Sequence, residues 1–137
     1  MAAYTRISDH PISLHCAVYT PHIVVVLDPT LLKTVKVDAG LSDDGILIVN
    51  THHNPAELRK QLGAGKYKLW TVPATDIAIK TLNAPITNTA MLGATVRAAN
   101  LVSLESIEKV VKERFRLDLA EKNIAVIKEA YKEAKTG

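Results

Sequence analysis

Apolar positions follow two rhythms along this chain. Residues 22–28, HIVVVLD, form an unbroken, largely β-branched run that ends in Asp-Pro-Thr, and residues 45–50, GILIVN, form a second. A run apolar at every position predicts a strand covered on both faces, as in a parallel sheet. Residues 67–72, YKLWTV, predict a third strand, more polar and so nearer an edge. Between the strands the spacing changes to helical. Pro29 to Leu32 is expected to start a short helix capped by Asp28. PAELRKQL follows, with Asn54 as cap, Pro55 in the first turn and Gly63 as the stop. Residues 74–82 place Ile77, Ala78 and Leu82 near helical spacing. Alternation of strand and helix argues for a parallel α/β sheet.

The two ends read differently. Residues 2–16, AAYTRISDHPISLHC, predict a hairpin, with Tyr4, Arg6, Ile12 and Leu14 alternating with their neighbours around the turn-forming SDHP. The last fifty or so residues read as helical on their three- and four-residue periodicity. One helix opens at Asn88 or Thr89 and runs to about Asn100. The next, SLESIEKVVKERF, has Ser103 or Ser106 as cap and an apolar stripe of Leu104, Ile107, Val110, Val111 and Phe115. The last carries Leu119, Ile124, Ile127 and Tyr131. The fold class expected is α/β: a Rossmann-like, open, mainly parallel sheet with an N-terminal hairpin and C-terminal helices, in one domain over residues 1–137. A doubly wound fold usually begins with a strand and a glycine-rich turn. No Gly-x-Gly-x-x-Gly occurs here, so either the fold is reduced or its first βαβ portion is absent.

Composition narrows the function. With 137 residues, 47% hydrophobic and 23% charged, the chain can build one real core, and six aromatics leave that core to Val, Ile, Leu and Ala. The net charge of +3 is spread along the chain, without the basic stripe that nucleic-acid binding requires, so no nucleic-acid partner is expected. The single cysteine, Cys16, can form no internal disulfide and no cysteine-built cluster, and is read as a packed strand residue in a reducing, cytoplasmic protein. No apolar run is long enough to span a membrane.

Ligands of open α/β sheets sit beyond the carboxyl ends of the strands. Four polar segments are expected there: Asp28–Thr30, Asn50–Asn54, Pro73–Asp76 and Thr87–Thr89. Asp, Asn and Thr are also routine helix caps, so convergence of the four is what would mark a binding rim. His52 and His53 are adjacent and would point apart on a strand, and no ligand set accompanies them, so no metal site is expected. No nucleophile elbow or other self-sufficient catalytic set is visible, which leaves no catalytic residue to name and suggests a subunit that shapes a neighbour's site.

Five stretches in register carry a family resemblance: AYTRISDHPI (3–12), VVVLDPTLL (24–32), DDGILIVNT (43–51), PITNTAMLGATVRAANLVSLESIEKVVKERF (85–115) and LAEKNIAVIKEAY (119–131). They resemble the gamma subunit of the pyruvate and 2-oxoacid:ferredoxin oxidoreductases, the ketoisovalerate enzymes included. The family's subunit normally begins with a further βα unit holding a Gly-Gly-Gln-Gly loop, which this sequence lacks, so an N-terminally truncated form of the domain is expected. One edge of its sheet should then be bare and the chain prone to self-association. The resemblance implies an accessory subunit of an enzyme that oxidatively decarboxylates a 2-oxoacid, pyruvate foremost, to acyl-coenzyme A, CO2 and reduced ferredoxin. Thiamine diphosphate, Mg2+ and the iron–sulfur clusters would belong to the alpha, beta and delta subunits, with no cofactor bound by this chain alone. Its own part would be to help shape the coenzyme A pocket, with Asn88 and Thr89 first and Asn50 and Thr51 second as the residues facing that ligand. Asn88 reads equally as a helix cap. Two other readings stay open: a free-standing nucleotide or small-molecule binding module, which would need its own phosphate loop, and a structural bridging subunit.

Overall fold

In a computed structural model, which describes residues 2–13, 17–63 and 65–137, a four-stranded sheet is covered by helices on both faces. Strands β1 (Ile23–Val26), β2 (Ile46–Asn50) and β3 (Lys68–Val72) are parallel and lie in chain order, with Val24 beside Leu47 and Leu47 beside Leu69. The helices α1 (Leu31–Thr34) and α2 (Pro55–Leu62) make the two crossovers. After β3 come α3 (Ala74–Leu82), α4 (Asn88–Ala99), α5 (Leu104–Arg114) and α6 (Leu117–Glu133), then a two-residue strand β4 (Lys135–Thr136) that pairs antiparallel to β3.

The unbroken apolar runs explain the two layers, because successive strand residues point to opposite faces. Ile23, Val25, Ile46, Ile48, Trp70 and Val72 face α3, α4 and α6. Val24, Val26, Leu47, Val49 and Leu69 face Leu58 and Leu62 of α2, with Leu32, Val37 and Leu41. A third cluster joins α5 to α6 through Val111, Ala120, Ile124 and Ile127.

Helices α4 and α6 run parallel. Thr89 meets Asn123, Gly93 meets Ile127 and Arg97 stacks over Tyr131, each pair separated by the same number of residues. The close approach depends on Gly93, where a β-carbon would collide with the Ile127 carbonyl. Helix ends follow the expected chemistry in part. The Asn54 side chain accepts from the Glu57 N–H at 2.9 Å, and Ser103 accepts from Ser106 at 3.1 Å. The first helix proper begins at Leu31, and Pro29 and Thr30 form the turn that leads into it. Asp28 caps that turn: its Oδ1 accepts from both the N–H and the hydroxyl of Thr30, and its carbonyl accepts from the Leu31 N–H at 3.1 Å.

Three expectations are corrected. The N-terminal hairpin is not formed among the described residues. The chain does bend at Asp9–His10, and Arg6 donates to the Ala17 carbonyl at 3.2 Å across the bend. Residues 2–13 nonetheless carry no strand and are exposed throughout, with Ile7 at 69%. A ribbon with no apolar layer beneath it has too little burial to hold a ladder. Leu14 and Cys16 lie outside the described residues. Second, β1 is the sheet's outer strand among the described residues and only Val26 of its four is fully buried, whereas β3 sits between β2 and β4. Third, β4 was not expected: two polar residues carry no strand pattern of their own, and they pair because α6 delivers them alongside β3.

A polar lock closes the far side of the α2 face. Arg59 donates to the carbonyls of Gly65 and Tyr67 at 2.8 and 2.7 Å and lies 5.1 Å from the Tyr67 ring centroid. The Tyr67 hydroxyl donates to Asp38 at 3.0 Å. Burial first, and then the bond to Asp38, push the Tyr67 phenol from 10.0 to about 12. Folding thus favours the neutral phenol, and its stabilisation is complete below pH 10 and lost as pH rises towards 12. The difference in urea midpoint between wild type and Tyr67→Phe should be constant at lower pH and shrink across that window. Separately, Gly93→Ala should destabilise the fold by about 1–3 kcal/mol through overpacking of α4 on α6, read as a lower denaturant midpoint at unchanged slope.

Candidate functional site

Asn50 ends β2 at the carboxyl edge of the sheet and is 3% exposed. Its amide nitrogen donates to the Leu27 carbonyl at 2.9 Å and to the Thr75 hydroxyl at 2.8 Å. Its oxygen accepts from the Thr75 N–H at 3.3 Å. One buried side chain thus joins the end of β1, the end of β2 and the first turn of α3. The reason lies in α3, which opens after Pro73, a residue with no side-chain group to offer the helix's orphan N–H donors. Asn50 supplies the missing cap from another element.

The loop that follows is held residue by residue. The Thr51 N–H donates to the Val72 carbonyl at 3.0 Å, and the Thr51 hydroxyl accepts from the His53 N–H at 3.2 Å. His52 Nδ1 lies 3.0 Å from Asp76 on α3, and His53 Nδ1 lies 3.0 Å from Glu57 on α2. The two histidines diverge to different carboxylates, and among the described residues no group of three or more His, Cys, Asp or Glu is placed to hold a metal ion. At Asp28 the Thr30 hydroxyl, and then the Thr30 N–H, hold the carboxyl below its ordinary range.

Between this loop and the end of the sheet lies a cleft of about 140 Å³. Thr51, His52, His53 and Asn54 of the loop line it together with Thr71 and Pro73 at the end of β3 and Glu133 and Lys135 from the end of α6 and β4. Thr71 is 3% exposed. Sequence reasoning did not find Thr71, Glu133 or Lys135: Thr71 reads as an ordinary strand residue, and the other two arrive only through the pairing of β4 with β3.

Three of the four polar segments meet at this edge, and the fourth does not. Helix α6 ends at the cleft with Glu133, whereas the first turn of α4 lies beside Asn123, ten residues earlier. At the helical rise that is roughly 15 Å away along the axis. Thr89 is also committed: it is 7% exposed and its hydroxyl donates to Asn123 Oδ1 at 2.9 Å. Asn88 is exposed. It stands inside the helix, with Thr87 at the cap position, and among the described residues its side-chain oxygen accepts only from the adjoining Thr89 N–H at 2.9 Å. Of the residues singled out in the sequence, Asn50 and Thr89 are held in internal bonds, Thr51 lines the cleft, and Asn88 is exposed with an amide nitrogen that donates to no described residue. No helix among the described residues is long and apolar enough to cross a membrane.

Comparison with known proteins agrees with this architecture. Residues 1–133 match the family described as pyruvate ferredoxin/flavodoxin oxidoreductase. The pyruvate/ketoisovalerate oxidoreductases common subunit gamma of Pyrococcus abyssi is 48% identical over 131 residues, covering 96% of this chain and 71% of the relative. The pyruvate synthase subunit PorC of Methanocaldococcus jannaschii is 42% identical over 131 residues, 96% of this chain and 70% of its own. The crystal structure of pyruvate oxidoreductase subunit PORC from Thermotoga maritima superposes with a TM-score of 0.81 at 40% identity, covering 88% of this chain and 67% of that one. The chain therefore belongs to the pyruvate ferredoxin/flavodoxin oxidoreductase family, among its gamma (PorC) subunits.

Proposed function

We propose that this chain is the accessory gamma subunit of a complex that oxidatively decarboxylates a 2-oxoacid, pyruvate foremost, to acyl-coenzyme A, CO2 and reduced ferredoxin. The observation that carries the reading is the family match over residues 1–133, joined to 40–48% identity with subunits of that name. Thiamine diphosphate, Mg2+ and iron–sulfur clusters are assigned to alpha, beta and delta partners, and a cytoplasmic location is proposed on the sequence grounds above.

This chain's own contribution is a polar surface for coenzyme A. The pantetheine arm carries amides that both donate and accept, and a side-chain amide matches them. Asn88 is the residue free to do this, since its Nδ2 donates to no described residue and its oxygen accepts from the neighbouring Thr89 N–H. Thr51, at the cleft, is the second contact; Thr89 and Asn50 serve by holding α4 and the rim in place. The reading of the chain as a free-standing nucleotide module gains no support from the starts of α2 and α3, at the carboxyl edge of the sheet. Asn54 already caps α2 and Asn50 caps α3, and Glu57 and Asp76 put negative charge in those first turns, where a phosphate would be repelled.

The test uses the assembled oxidoreductase carrying Asn88→Ala. Loss of one hydrogen bond to coenzyme A should raise its KM roughly three- to tenfold, with kcat and the urea midpoint nearly unchanged. An unchanged KM with a loss of about 1 kcal/mol in stability would assign Asn88 to capping alone.

A further inference from the structure

We propose that Asn50 is a positioning residue, which latches the loop carrying Thr51, His52 and His53 to the first turn of α3 and so fixes one wall of the cleft. Asn50 spends both amide donors internally and accepts one internal bond, and at 3% exposure it is buried away from a ligand. It acts through what it holds.

The latch has two points. The first is buried, Asn50 to Thr75. The second is exposed, His52 Nδ1 to Asp76 at 3.0 Å. Thr75 and Asp76 are consecutive residues of α3, and Asn50 and His52 bracket Thr51. Both points therefore tie the same loop to the same helix start. A buried amide whose partners are removed is costly, whereas an exposed pair at a surface contributes little, so the first point sets the position and the second trims it. The same amide also holds the Leu27 carbonyl, which links the start of the Asp28–Thr30 turn to the same loop.

The functional half of this inference rests on the reading of Thr51 at the cleft as a coenzyme A contact, and the experiment separates the two. Hydrogen exchange is measured on the assembled oxidoreductase containing Asn50→Ala, alongside the KM for coenzyme A. Amides of residues 51–54 and of Thr75 should exchange roughly tenfold faster or more, while α6 stays protected. The KM should rise severalfold with kcat within about twofold, the pattern of a lost binding geometry. Asn50→Asp keeps the acceptor for Thr75 and loses both donors: Thr75 should remain slow while the loop loosens. If Asn50→Ala fails to assemble, Thr75→Val removes one partner and leaves Asn50 in place, and a smaller acceleration confined to the same amides is expected. Faster exchange with an unmoved KM supports the latch and removes coenzyme A from this rim. Unchanged exchange in residues 51–54 and Thr75 overturns the latch, whatever the KM does.

Discussion

Three parallel strands that are apolar at nearly every position impose the central constraint on this molecule: both faces of the sheet must be covered. Leu47, Ile48, Val49, Leu69 and Val72 are all completely buried, and they alternate between two separate apolar clusters. One face is covered locally, by the crossover helices that any parallel pairing requires. The other is covered by helices that come after the last parallel strand, so α3, α4 and α6 must pack on the sheet and on one another. The close contact of α4 with α6 at Gly93 follows from that demand, as does the small-residue character of the interface at Ala90, Ala94 and Ala130.

The same constraint decides what the polar residues at the carboxyl edge do. Helices packed tightly on a sheet bring their first turns up against the strand ends, where orphan N–H groups need acceptors. Asn54 meets that need within its own helix. Pro73 cannot, and Asn50 reaches across to do so. The rim is thus mostly self-satisfied: its amides, hydroxyls and imidazoles are spent on one another. What it offers a partner is shape, a small cleft lined in part by Glu133 and Lys135; the exposed Asn88 lies away from it, at the start of α4. On the proposed reading, such a surface would form part of a pocket shared with a neighbouring subunit.

The sequence made several of these elements legible. The β-branched runs located β1, β2 and β3 within a residue or two, because continuous apolarity and two-sided burial are the same fact seen twice. Asn54, Pro55 and Gly63 bounded α2, and Ser103 opened α5, because caps are local chemistry. The hairpin at the start failed for the complementary reason: turn residues specify a bend but not the burial that makes strands adhere. Convergence of the rim was overestimated, since spacing along the chain says that a polar segment precedes a helix but not at which end of the sheet that helix begins. The parallel course of α4 and α6 puts Thr87–Thr89 at the opposite end from Glu133.

The sequence by itself thus determined the element types, the two-faced parallel sheet and the family, because periodicity, caps and motif order are properties of neighbouring residues. Tertiary structure alone decided the roles of Asn50, Thr89, Thr71 and β4. Each depends on partners more than twenty residues away, Thr75 for Asn50, Asn123 for Thr89, Lys135 for Thr71 and β3 for β4, and no local pattern encodes which distant group will be met.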